Sequence, residues 1–146
     1  MEKIIEIIQN ILNFLNIDDA KIDTSEQDEV IMVNIRTENG KTLIGSQGNI
    51  LKDFEFLIRL LAQKNNFNKK INLDVNNYRK NREEQLKKIA KETAHKVIIT
   101  KTSIKLPPMN AYERRIIHME LAINPNVTTE SIGEEPNRYL IIKPYP

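Results

Sequence analysis

The stretch Lys41-Thr42-Leu43-Ile44-Gly45-Ser46-Gln47-Gly48-Asn49 decides how the first half of this chain folds. Two glycines three apart stand between a short helical turn and a long run with an apolar stripe. Without a Cβ the backbone can corner tightly and approach a ligand closely. A helix starting near Asn49 presents free N–H groups and the positive end of its dipole to that corner. A sugar-phosphate backbone is a natural guest there. A plain glycine-rich turn between helices gives the same pattern, so the motif alone leaves both readings open.

Working outward, Ile4, Ile5, Ile7, Ile8, Ile11, Leu12 and Leu15 recur at helical spacing and predict a helix over 2–16, ended by Asp18 and Asp19. Strands are expected over 20–24 and 29–36, joined by the polar turn Ser25-Glu26-Gln27-Asp28. Ile31, Val33 and Ile35 occupy one face of the second strand, and Val30 and Met32 the other, which reads as burial on both sides. Asn39-Gly40 reads as a turn. Past the corner, Ile50, Leu51, Phe54, Leu57, Ile58 and Leu61 stripe a helix to about Gln63, and Ile71, Leu73 and Val75 alternate as a half-buried strand.

Asn76-Asn77 marks a seam. Residues 1–77 hold 9 Lys/Arg and 12 Asp/Glu, a balance of −3, whereas 78–146 hold 13 Lys/Arg and 8 Glu, a balance of +5. The change of sign predicts two units, with the second better suited to a polyanion. Leu86, Ile89, Ala90, Thr93, Ala94, Val97 and Ile98 stripe a helix ending near Lys101, whose outer face carries Arg79, Lys80, Arg82, Lys87, Lys88, Lys91 and Lys96. A short strand over 103–106 precedes Pro107-Pro108. Asn110 and Glu113 form a capping box that opens a helix over 111–123. Strands over 127–131 and 138–143 suggest a hairpin. The expected class is α+β, with two small domains at 1–77 (αββααβ) and 78–146 (αβαββ).

The second motif is Asn110-Ala-Tyr-Glu-Arg-Arg-Ile-Ile-His118. Arg114 and His118 are four apart, hence on one helical face, and Arg115 lies 100° round from Arg114. The guanidinium fork matches phosphate and stacks on bases, while imidazole can donate to phosphate or stack. Such a pair can hold a single strand by backbone contact and stacking. The bland alternative is an exposed pair bonded to local carboxylates.

Other functional classes find little support. There is no cysteine, so disulfides and thiolate metal sites are excluded. No apolar run reaches the ~18 residues of a membrane span, and the start lacks the apolar core of a signal peptide, so a cytoplasmic protein is expected. His118, Ser131 and Glu130 match no nucleophile elbow, no cluster has metal-ligand spacing, and Gly45-x-x-Gly48 lacks the Lys-Ser/Thr of a nucleotide loop. Neither catalysis nor a cofactor is expected.

Gly45-Ser46-Gln47-Gly48, with a helix and two strands before it and a long helix and strand after it, resembles the clamp of a type II KH domain, covering most of 1–76. Many such clamps carry a basic residue between the glycines. Here Ser46 and Gln47 donate hydrogen bonds without adding charge. The second motif, followed by Thr129-Glu130-Ser131-Ile132-Gly133-Glu134-Glu135-Pro136 and then Arg138, resembles the R-3-H domain, a binder of single-stranded nucleic acid. The order of the two domains, and the joining segment Asn72–Glu84, is similar to the bacterial Jag family of RNA-binding proteins. That resemblance implies nucleic-acid contacts at Gly45, Ser46, Gln47, Gly48, Arg114, Arg115, His118 and Arg138. It implies single-stranded RNA as ligand, with single-stranded DNA as the alternative. It also implies a small separate KH protein as a partner and a role linked to cell elongation and division. Family members often carry a further N-terminal domain, and this chain is expected to be a short form without it. The competing reading is a protein-interaction module in which nucleic-acid binding is secondary.

Overall fold

The computed structural model describes residues 1–146, which form two compact units, Met1–Arg79 and Lys80–Pro146. In the first unit the elements run α1 (Glu2–Phe14), β1 (Lys21–Gln27), β2 (Val30–Arg36), α2 (Gly40–Ile44), a single 3-10 turn (Ser46–Gly48), α3 (Asn49–Lys64) and β3 (Lys70–Val75). The strands form one mixed sheet in the order β1-β2-β3. β1 and β2 are antiparallel, with Lys21 opposite Arg36 and Gln27 opposite Val30. β2 and β3 are parallel, with Val30 opposite Lys70 and Ile35 opposite Val75.

One core explains this arrangement. Ile4, Ile8 and Leu12 of α1 and Leu51, Phe54 and Ile58 of α3 pack with Ile31, Val33 and Ile35 of β2 and Ile71, Leu73 and Val75 of β3. Only one face of the sheet is thus filled, and Met32 on the other stays 40% exposed. The expectation that β2 is buried on both sides is corrected. Its continuous apolar run masked a one-sided strand. The expected four-residue polar turn is also corrected. Ser25, Glu26 and Gln27 belong to β1, and the reversal is made by Asp28 and Glu29 alone, with φ of 50° and 63°. Positive φ at both central residues is the geometry of a two-residue hairpin matched to strand twist. Gly40, read as part of a turn, begins α2 and is buried.

Glu55, a polar position on α3, has a side chain only 8% exposed. Its carboxylate accepts from the Leu73 backbone N–H at 2.9 Å and pairs with Arg59 at 3.0 Å and Arg79 at 3.1 Å. One buried anion thus joins α3, β3 and the residue that ends the first unit. Just before α2, the Asp19 carboxylate accepts from Thr37 Oγ1 at 2.7 Å, Glu38 N–H at 2.6 Å and Asn39 Nδ2 at 3.1 Å. These bonds, Thr37's first, hold its pKa below the ordinary 3.8.

The second unit takes most of α4 (Tyr78–Thr100), then β4 (Ile104–Lys105), α5 (Ala111–Leu121), β5 (Val127–Ile132) and β6 (Tyr139–Pro144). Its sheet is antiparallel in the order β4-β6-β5. Leu86, Ala90, Ala94 and Val97 of α4 and Ile117 and Leu121 of α5 pack with Val127, Leu140 and Ile142. No helix is long and apolar enough to cross a membrane.

Candidate nucleic-acid interface

The first locus is the corner between α2 and α3. Gly45 ends α2 with φ 72°, and Gly48 precedes α3 with φ 75°. Both lie in the left-handed region that side chains disfavour. Space points the same way. A Cβ on Gly45 would lie 2.5 Å from Ile50 Cγ1, and one on Gly48 would lie 2.9 Å from Tyr78 Cε1. Between them Ser46 and Gln47 are exposed, and Gln47 itself takes φ 56°. The corner is therefore shaped by conformation and crowding together. Lys41 and Lys52 are exposed, but Asp53 adjoins Lys52, so little net charge surrounds the loop.

The second locus is built on α5. Asn110 caps it, its side chain accepting from Glu113 N–H at 2.9 Å. Glu113 is 2% exposed and takes Arg82 Nε at 2.7 Å, which ties α5 to α4. Arg114 is 9% exposed. Its guanidinium donates to the Met109 carbonyl at 2.6 Å and to Glu135 Oε1 at 2.9 Å. Arg115, one step on, is exposed. His118 is exposed and meets Thr129 Oγ1 through Nδ1 at 2.6 Å. Arg138 donates from Nε to Ser131 Oγ at 2.7 Å.

Thr129 and Ser131 are two apart on β5, so they share one face of the strand about 7 Å apart. The structure thereby brings His118 and Arg138 to neighbouring positions, although 20 residues separate them in sequence. It places Arg114 beneath this surface, as a brace between the start of α5 and the β5–β6 loop. Arg115 belongs to the outward side of α5. The hydroxyls of Thr129 and Ser131 were not read as site residues. Their signal was present in the Thr-Glu-Ser stretch of the second motif. The acids of this unit are largely engaged. Glu113 pairs with Arg82, Glu120 with Lys91, Glu130 with Lys143, and Glu135 with Arg114.

The long basic helix contributes less than its sequence suggests. Of its seven cations, Arg79, Arg82, Lys87, Lys88 and Lys91 pair with Glu55, Glu113, Glu83, Glu92 and Glu120 respectively. Lys80 and Lys96 remain for an outside anion.

A family model described as the R-3-H domain matches residues 84–144. An RNA-binding protein KhpB of Clostridium symbiosum is 38% identical over 143 residues, covering 97% of this chain and 64% of that protein. The RNA-binding protein KhpB of Bacillus subtilis is 36% identical over 126 residues, covering 84% and 61%. That of Lactiplantibacillus plantarum is 33% identical over 124 residues, covering 84% and 38%. The chain thus spans less than two thirds of the length of each of these relatives. Residues 84–144 thus match the R-3-H domain, and the chain is similar to the bacterial KhpB proteins.

Proposed function

We propose that this protein binds single-stranded RNA without catalysis, with its main contacts in the second unit. The observation that carries this reading is the meeting of His118 and Arg138 on neighbouring hydroxyls of β5, beside the exposed Arg115, in the half of the chain with a balance of +5. Two cationic groups and an imidazole on one surface, with Glu130 and Glu135 paired to Lys143 and Arg114, suit a phosphodiester backbone. Arg114 serves that surface by holding the β5–β6 loop. The name carried by the homologues, RNA-binding protein, supports RNA over DNA.

The first unit reads as a type II KH domain, on its αββααβ order, its mixed sheet and its Gly45–Gly48 corner. With Ser46 and Gln47 as the only side chains between the glycines, it is a weak clamp, and the second unit holds the stronger site. A second reading has one specific observation in its favour. Phe14 is 86% exposed, and Phe56, Leu57 and Leu60 of α3 are 61%, 43% and 46% exposed. Exposed large apolar side chains on α3 suit a protein partner, such as a small KH protein.

The test is a titration of labelled single-stranded RNA and DNA at several salt concentrations. Wild type should bind RNA in a salt-sensitive way, and the Arg115→Ala/His118→Ala/Arg138→Ala triple should lose that binding. Equal affinity in the triple overturns the site. The clamp is probed by Ser46→Asp/Gln47→Asp, because these side chains are exposed. Changing either glycine would disturb the fold as well.

A further inference from the structure

The outward side of α5 carries a surface that the His118–Arg138 pair does not use. At 100° per residue, Tyr112, Arg115 and Met119 fall within a sector of about 60°, opposite the buried Ile117 and Leu121. Tyr112 is 62% exposed and Met119 60%, although both are large and apolar in the main. The two carboxylates of α5 are turned elsewhere. Glu113 is buried against Arg82, and Glu120 pairs with Lys91 of α4. The result is an aromatic ring, a guanidinium and a thioether on one strip of helix with no acid among them.

We infer that this strip is the base-stacking platform of the RNA site. The Tyr112 ring takes one base on its face, and Arg115 holds the adjoining phosphate. This rests on the RNA-binding reading above and adds to it the part that grips bases. Charge argues for this occupant, since the strip's one ionised group is a cation and the unit has a balance of +5. Continuity argues for it too: His118 lies about 60° round the helix from Arg115, toward β5. Tyr112 and Arg115 are separated by about 4.5 Å along the helix axis, within reach of a base and its own phosphate. Stacking on a tyrosine tolerates any base, so the platform lends affinity without sequence preference.

The chain has no tryptophan. Tyr112→Trp therefore installs a sole indole at the proposed stacking position. Titrated with an unlabelled single-stranded RNA oligonucleotide, its emission should be quenched with the same midpoint as binding of the labelled RNA. Tyr112→Ala should weaken binding about tenfold and leave the salt slope unchanged, while Tyr112→Phe retains wild-type affinity. Arg115→Ala should instead make the salt slope shallower by about 0.7. Wild-type RNA binding with a silent indole and no loss in Tyr112→Ala overturns the platform and leaves the RNA-binding reading standing. That is the result expected if the strip serves a protein partner. A wild type that binds no RNA overturns both.

Discussion

Arg114 and Arg115 stand one step apart on α5, and 100° of rotation separates their roles. Sequence alone assigns both to the ligand, because either guanidinium can meet phosphate. Only the packing distinguishes them. Arg114 is turned to the Met109 carbonyl and Glu135. Removing it strands the Met109 carbonyl in a buried setting and leaves the exposed Glu135 carboxylate to water. Arg114→Ala should lower stability by about 2–3 kcal/mol, measured by urea unfolding. Arg114→Lys should recover only part of this, since an ammonium cannot span both acceptors as the fork does. Arg115→Ala, at an exposed position, should leave stability nearly unchanged. Equal effects of the two alanines would contradict the division.

Asp19 makes a second case at the same scale. Its folded pKa lies below the ordinary 3.8, first because of the Thr37 hydroxyl. A carboxyl with a depressed folded pKa adds stability above its unfolded pKa and loses it as pH falls through the folded value. The unfolding midpoint should therefore drop as pH falls below about 4, and Asp19→Asn should flatten that part of the profile. An unchanged profile would remove Asp19 from the account.

Among the elements, the β1–β2 hairpin shows where pattern reading stops. The strands themselves were legible from Ile22, Ile31, Val33 and Ile35. The turn was not, because Ser25, Glu26 and Gln27 have the polarity of a loop while lying in an edge strand paired on one side only. The reversal falls on Asp28-Glu29, where Glu29 at φ 63° has no local reason to favour that conformation. Asp28→Asn/Glu29→Gly supplies the residues this turn prefers and should raise stability by about 0.5–1 kcal/mol, read from thermal unfolding. The helices were easier. Spacings of three and four located α1, α3 and α4, and the Asn110–Glu113 cap located α5, to within two residues or so. Their buried faces proved narrower than their apolar stripes, as exposed Leu15, Ile50 and Leu57 show. The candidate site was legible as a motif, but its assembly was not. Nothing in the spacing of His118 and Arg138 says that Thr129 and Ser131 bring them together, since that depends on strand pairing and helix packing distant in sequence.

For the whole molecule, the uneven charge is the property the sequence shows most directly and the structure tempers most. The second half keeps its balance of +5, yet most cations of α4 are neutralised by neighbouring carboxylates. Salt sensitivity of RNA binding should therefore follow Arg115 and Arg138, with little contribution from Lys87, Lys88 or Lys91. Alanine at those three lysines together should shift the salt slope less than the Arg115→Ala/Arg138→Ala pair. The boundary between units has a similar test. The asparagine pair suggested a seam at Asn77, whereas the first unit continues through Arg79. A fragment 1–79 should be more stable than a fragment 1–77 by about 1–3 kcal/mol, because the shorter one loses the Arg79–Glu55 pair and the Tyr78 ring beside Gly48. Equal melting temperatures would favour the seam at Asn77.

The backing of Gly48 by Tyr78 also sets an order of events in time. During synthesis Gly48 leaves the ribosome thirty residues before the ring that lies against it, and Glu55 leaves 24 residues before its second arginine. Until that joint has emerged, the corner has its glycines but not its wall. A nascent chain halted at residue 75 would hold all three strands of its first sheet and still lack the wall behind Gly48.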